Sequence, residues 1–158
     1  MILADPAEFA AALPPRHGLI GLDLGTRTIG VAVSDRLLTA ATANVTLRRT
    51  KFGADAAALL ALAARHEAGG FVIGLPLNMD GSEGPRAQSA RAFARNLAVL
   101  TPLPITFWDE RLSTVAAERA LIEADTSRKR RAEVIDAVAA GYILQGLLDR
   151  LAHLRDRQ

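Results

Sequence analysis

Gly18-Leu19-Ile20-Gly21-Leu22-Asp23-Leu24-Gly25-Thr26-Arg27-Thr28-Ile29-Gly30-Val31-Ala32-Val33 is the stretch that decides the architecture. Gly18 to Leu24 is an apolar run broken only by Asp23, and it reads as a strand leaving a core. Gly25 and Gly30 bracket Thr26-Arg27-Thr28-Ile29, a tight turn. Ile29 to Val33 resumes as a second strand, so the two predict a β-hairpin. An acid at the end of a buried strand is costly unless it is paired or bound to a metal. Glycines beside it let a backbone or a phosphate come close, and Thr26 and Thr28 add hydroxyl and amide donors. A hairpin turn with a capped Asp is the plain structural alternative.

The rest of the chain builds outward from this hairpin. Upstream, Asp5 caps a short helix entered through Pro6, with Glu8 three residues after the cap, and Pro14-Pro15 end it. Downstream, Ala41 to Leu47 is a weaker third strand. Ala54 to His66 reads as a helix stopped by Gly69-Gly70. Phe71 to Leu75 is a buried strand stopped by Pro76, and Asn78 to Pro85 is a turn-rich loop holding Asp80-Gly81. Arg86 to Leu100 is a helix, Ile105 to Trp108 a fifth strand, and Thr114 to Ala124 and Arg131 to Leu154 are helices. Hairpins first and crossovers later predict a mixed five-stranded sheet flanked by helices, in a single α/β domain over residues 1–158.

Composition narrows the chemistry. With 158 residues, half of them hydrophobic, the chain can bury a core. It has no cysteine, which excludes disulfides, thiolate zinc sites and a cysteine nucleophile. His17, His66 and His153 are far apart and form no ligand motif. No apolar run approaches the roughly 18 residues of a membrane span. Asp5 and Glu8 stand where a signal peptide would be basic. A cytoplasmic protein without a membrane partner is expected.

Formal net charge is only +2, although the sequence pI is about 9.7. The excess bases are nearly all arginine, which stays charged. They are unevenly spread. Arg36, Arg48, Arg49 and Lys51 lie in one stretch without an acid, and Arg128, Lys129, Arg130 and Arg131 in another, leaving the remainder net acidic. Such segregation points to a polyanion partner, or to two solvated loops.

Two more acidic positions stand out. In Trp108-Asp109-Glu110-Arg111-Leu112-Ser113-Thr114, two acids end an apolar strand. Alternation puts Asp109 on the face of Phe107 and Glu110 on the face of Trp108. Asp109 can equally be a loop partner of Arg111, and Ser113 or Thr114 a helix cap. In Ile135-Asp136-Ala137-Val138-Ala139-Ala140-Gly141, an acid lies in an apolar helix among small residues, which allow close approach to a sheet edge and room for a hydrated ion. Two strand-end acids and one helix acid, without a histidine or cysteine centre, suit oxygen-ligated Mg²⁺ or Mn²⁺, with two ions bridging a phosphodiester.

The sequence resembles the YqgF family, also called RuvX, within the RNase H-like superfamily. The matching segments are Gly21-Leu22-Asp23-Leu24-Gly25-Thr26 with Ile29-Gly30-Val31-Ala32-Val33-Ser34, then Val72-Ile73-Gly74-Leu75-Pro76-Leu77-Asn78-Met79-Asp80-Gly81. Asp109-Glu110-Arg111-Leu112-Ser113-Thr114 and Ile135-Asp136 with Ala139-Ala140 follow in family order. Only an N-terminal extension, residues 1–16, falls outside. The resemblance implies an RNase H-like fold and a metal-dependent nuclease, named in this family for 5′-end maturation of pre-16S ribosomal RNA. It carries the acidic catalytic and metal positions onto Asp23, Glu110 and Asp136. Resolvases of the superfamily have an acid around the fourth strand; Val72 to Pro76 has none, so Glu110 must substitute, with Asp109 in reserve.

Thr26, Arg27, Arg111 and the Arg128, Lys129, Arg130, Arg131 run are the expected nucleic-acid contacts, and Arg91 with Arg95 a further pair. Aromatics are only 4% of the chain, so recognition should lean on phosphates rather than on stacked bases. Three other readings stay open. One is a resolvase of DNA four-way junctions, which needs a dimer; another is a catalytically silent RNA-binding module. The third is a nucleotide-binding protein, since Asp23-Leu24-Gly25-Thr26 followed by Gly30 also looks like the first phosphate loop of sugar kinases and actin-like ATPases, although those folds need two such domains and 158 residues provide one.

Overall fold

A computed structural model of the chain describes residues 1–112 and 128–157, without the side chains of 128–134. The elements run α1 (Pro6–Ala12), β1 (Gly18–Leu24), β2 (Thr28–Ser34), β3 (Ala41–Arg48), α2 (Phe52–Arg65), β4 (Ala68–Leu75), α3 (Pro85–Leu100) and β5 (Ile105–Asp109). A 3-10 turn (Glu110–Leu112) and α4 (Arg128–Asp156) complete them. The helix expected over Thr114 to Ala124, with Ser113 or Thr114 as its cap, lies outside the described residues.

The five strands form one sheet in the order β3-β2-β1-β4-β5. β1, β2 and β3 pair antiparallel, as the hairpin reading predicts, while β4 and β5 run parallel to β1. This is the expected mixed sheet. Strand alternation divides the core in two. Ile20, Leu22, Ile29, Val31, Phe71 and Ile73 face α2 and α3. Leu19, Ala32 and Val72 face α1 and α4, where Phe9 is also fully buried. The N-terminal extension is therefore built into the core. It also runs along the start of β5, where Leu3 donates to the Ile105 carbonyl and the Ile105 amide to that of Met1.

Glycines set how closely α4 lies on its face of the sheet. A Cβ at Gly30 of β2 would stand 1.9 Å from the Asp136 carbonyl oxygen. At Gly21 of β1 it would stand 2.7 Å from the Leu144 Cβ, and at Gly74 of β4 2.4 Å from Ile143 Cδ1. Further along, Gly146 leaves room for the Trp108 indole of β5. The helix thus crosses the sheet face from β2 toward β5, rather than skirting an edge. Its small residues serve backbone approach to the strands.

Three expectations need correction. Gly69-Gly70 do not stop α2; they lie within β4. A Cβ at Gly69 would press within 2.9 Å of His17 and Pro14, and one at Gly70 within 3.0 Å of Leu13 and the Pro104 carbonyl. The pair is there for close packing, and Glu67, with φ +50°, makes the turn out of the helix. Second, α4 begins at Arg128, so the run Arg128, Lys129, Arg130, Arg131 forms its first turn and not a loop before it. Third, Arg36 to Lys51 is not one basic patch. Ser34 pairs with Ala41 at one end of the β2–β3 ladder and Thr28 with Arg48 at the other, which separates Arg36 from Arg48, Arg49 and Lys51 by the length of the sheet. Among the described residues no helix is long and apolar enough to cross a membrane.

Candidate active site

The carboxyl ends of β1, β4 and β5 lie together, which is where open α/β sheets collect ligands. Strand register places the acids there. Asp23 pairs with Gly30 of β2. On its other side, Leu22 pairs with Ile73, so Asp23 comes level with Gly74 of β4, and Gly74 pairs with Trp108 of β5. Gly30, Asp23, Gly74 and Trp108 thus form a row across four strands, spaced by about 4.8 Å each.

The other two acids sit over the glycines of that row. The Asp136 backbone lies on Gly30, and Glu110 Oε1 is 3.2 Å from where a Gly74 Cβ would be. The Asp136 backbone, Asp23 and the Glu110 carboxylate therefore follow one another on the face that α4 covers, while the Asp136 carboxylate lies at Thr28, two residues along β2 from Gly30. Asp23 is only 3% exposed. The missing acid of the fourth strand has a physical counterpart. Glu110 enters from the end of β5 and places its carboxylate over the side-chain-free position of β4.

Thr28 connects the hairpin to the helix, its hydroxyl donating to Asp136 Oδ2. Among the described residues, no three carboxylate or imidazole groups are close enough together to hold a metal ion jointly. The donor set is nevertheless all oxygen, on one face, with Asp136 engaged by a neutral hydroxyl. That chemistry fits a hard divalent cation.

Asp109 behaves differently from its neighbour. Its carboxylate accepts from the Arg111 amide at 3.0 Å, from Nε at 3.0 and 3.1 Å, and from Nη2 at 2.7 Å. The Arg111 side chain holds the Asp109 carboxyl below the usual carboxylate range, and Asp109 in turn raises the guanidinium. Arg111 Nη1 also donates to the Met79 carbonyl, which ties the β4–α3 loop to the end of β5. In that loop Asp80 accepts from the Ser82 hydroxyl and amide, which lowers its own pKa.

Of the expected nucleic-acid contacts, Thr26 and Arg27 are exposed at the tip of the β1–β2 turn. Arg111 stands at the same end of the sheet, paired as described. The side chains of Arg128, Lys129, Arg130 and Arg131 are outside the described set. Arg91 pairs with Glu83 and lies over the Phe107 ring, 5.0 Å from its centroid. Sequence reasoning missed the role of Arg49. Its Nη1 donates to the Gly25 carbonyl at 2.6 Å, its amide to that of Arg27 at 2.8 Å, and its guanidinium lies 5.8 Å from the Phe93 centroid. It clamps the turn that carries Thr26 and Arg27. Only the pairing of Thr28 with Arg48 reveals this, because nothing local to Arg49 signals it.

Comparison with known proteins agrees with this geometry. The profile of the family described as "RuvX: Holliday junction resolvase" matches residues 17–150. A protein of Jannaschia sp. (strain CCS1) is 70% identical over 158 residues, covering 98% of this chain and 99% of its own. One of Rhodobacter capsulatus is 70% identical over 154 residues, covering 98% and 97%. Both are named "Putative pre-16S rRNA nuclease". Among solved structures, Thermus thermophilus RuvC in complex with a Holliday junction substrate aligns with a TM-score of 0.53 at 12% identity, over 86% of this chain and 96% of that one. At that identity the likeness concerns the fold, and it is the RNase H-like arrangement expected from the sequence.

Proposed function

Because this chain belongs to the RuvX family, we propose that it is a divalent-metal-dependent nuclease acting on RNA, in 5′-end processing of pre-16S rRNA. Its family and the names of its relatives support a hydrolase of phosphodiester bonds with a nucleic-acid substrate. The observation that carries the finer reading is the gathering of Asp136, Asp23 and Glu110 on one sheet face, with the Asp136 backbone over Gly30 and the Glu110 carboxylate over Gly74. In this reading these three residues are catalytic and would share the ligation of two Mg²⁺ or Mn²⁺ ions, rather than all three holding one. A bound divalent ion supplies an activated water and neutralises charge on the phosphodiester.

The chain's own residues do the rest. Thr28 keeps the Asp136 carboxylate oriented toward the hairpin. Arg49 fixes the Gly25–Thr28 turn, so that Thr26 and Arg27 meet phosphates from a rigid support. Arg111 presents its guanidinium at the end of β5. The four basic residues of the first turn of α4, Arg128 to Arg131, would hold flanking phosphates. Residues 1–158 act as a single nuclease domain in the cytoplasm, as a monomer or a homodimer.

The test is cleavage of precursor 16S rRNA by purified protein with Mg²⁺ or Mn²⁺, beside Asp23→Asn and Asp136→Asn. Each variant is expected to lose more than about 100-fold in rate, beyond the loss typical of outer-shell partners, with an unchanged circular dichroism spectrum. Equal cleavage by all three proteins refutes the assignment. The RuvC-like fold favours one second reading, a resolvase of four-way DNA junctions, which needs two active sites and so a dimer. A junction substrate assayed beside the rRNA separates the two.

A further inference from the structure

We propose that the end of the sheet opposite the carboxylates is a docking groove for an acidic amphipathic helix of a partner protein. A groove of about 600 Å³ opens there between α1, the last turns of α4 and the turn after β2. Its floor is apolar, with Ala7, Ala10 and Ala11 on one side and Leu38, Leu151 and Leu154 on the other. Leu37 adds a side chain that is 72% exposed. The rim is basic: Arg16, Arg36 and Arg155 line it with His17, and among the described residues no carboxylate does. Glu67 pairs with Arg36 at 2.8 Å from outside the groove, but both side chains are more than half exposed. An exposed pair of this kind leaves the guanidinium open to a new partner.

Three features select the occupant. An apolar trough between two helices, rimmed by one sign of charge, suits a third helix that brings leucine-like anchors at i, i+3 or i+4, and i+7, with acids beside them. A nucleic acid is disfavoured, because its phosphates would have to give up water against a floor of alanine and leucine side chains. A second copy of this chain would bring the same basic rim, and like charges oppose it. The groove is also built largely outside the family match of 17–150, from residues 7–16 and 151–155. The lining carries two residues in the left-handed region, Arg16 of the rim at φ +59° and Leu38 of the floor at φ +60°, a conformation that costs energy and persists where the surroundings enforce it. Since β1 alone is seven residues long, the groove lies roughly 20 Å from Asp23, so an occupant leaves the carboxylate end open.

The test uses a fluorescein-labelled helical peptide of about 16 residues, long enough to form a helix, with leucines at those spacings and glutamates elsewhere. Binding is read by anisotropy against the full chain. Saturable binding is expected, weakened at least about tenfold by Arg16→Glu with Arg155→Glu, which removes rim charge. Ala11→Arg, a substitution at an exposed position that fills the floor without removing charge, should weaken it as much. The same peptide with lysine in place of glutamate should not bind. Nuclease activity of both variants should match that of the wild type. The proposal fails if the glutamate peptide does not bind, or if it binds all variants equally. It fails equally if Ala11→Arg instead dissolves a dimer in sedimentation velocity, or abolishes binding to phosphatidylglycerol vesicles.

Discussion

The groove end of the sheet holds its acid within one turn, whereas the other end also gathers acids from separate elements. At the groove end, Asp35 accepts from the Thr39 amide and hydroxyl and from the Ala40 amide, all within its own turn. At the carboxyl ends of the parallel strands, Asp23, Glu110 and Asp136 come from three elements far apart in sequence and meet on one face. The difference is instructive, because an acid saturated by its own turn is explained by that turn. Asp80 and Asp109 belong to this local kind, although they stand at the site end. Asp136, by contrast, takes its hydroxyl donor from Thr28 of another element, so neighbouring acids at one end of the sheet are held in different ways.

Neighbouring acids offer the sharpest break of that comparison. Glu110→Gln should cost more than about 100-fold in cleavage rate, like the loss of Asp23 or Asp136. Asp109→Asn should change the rate only a few-fold, because Arg111 can keep a neutral partner, and should lower thermal stability slightly. Single-turnover cleavage beside thermal melts measures both. Comparable losses of activity from the two variants would mean that the Arg111 pair belongs to the chemistry.

Gly30 gives the next largest effect. Gly30→Ala puts a methyl 1.9 Å from the Asp136 carbonyl, so α4 must shift. Overpacking of this kind costs about 1–3 kcal/mol, or roughly 3–10 °C in a domain of this size. The displaced Asp136 should take activity down with it. Gly53→Ala is the control, since among the described residues nothing lies within 4 Å of its added methyl at the start of α2. It should raise stability by about 0.5 kcal/mol and leave cleavage alone. If both variants melt alike, the helix does not rest on Gly30.

Much of this was legible in the sequence. The Gly18–Val33 hairpin, the sheet composition and the α/β class followed from apolar runs and turn residues. The placement of Glu110 on the Trp108 face followed from alternation alone. Gly69-Gly70 misled because a glycine pair stops a helix or admits a close neighbour, and only Leu13, Pro14 and His17 across the fold decide which. The Arg49 clamp and the Thr28–Asp136 bond were hidden for a related reason. Each joins residues whose proximity is set by strand register or by the path of α4, and neither leaves a local pattern. Arg36 to Lys51 looked like one patch because sequence distance ignores that a strand carries its ends apart.

The smallest effect tests the groove end. Asp35 has its carboxyl lowered to about 2, chiefly by the Ala40 amide and then by the Thr39 hydroxyl. A folded-state value below the unfolded one stabilises the fold above the unfolded pKa, and that contribution is lost as pH falls toward 2. Asp35 is exposed, so solvent screens the effect and it stays small. At neutral pH, Asp35→Asn should melt only about 1–2 °C below the wild type. The gap should close between about pH 4 and pH 2, as the wild-type carboxyl takes up its proton. Cleavage at neutral pH should be unchanged, since the turn that presents Leu37 and Leu38 is the length of β1 away from Asp23. A melting gap that persists at pH 2 would mean that the Asp35 charge does not hold this turn, and would remove the clearest instance of an acid explained by its own loop.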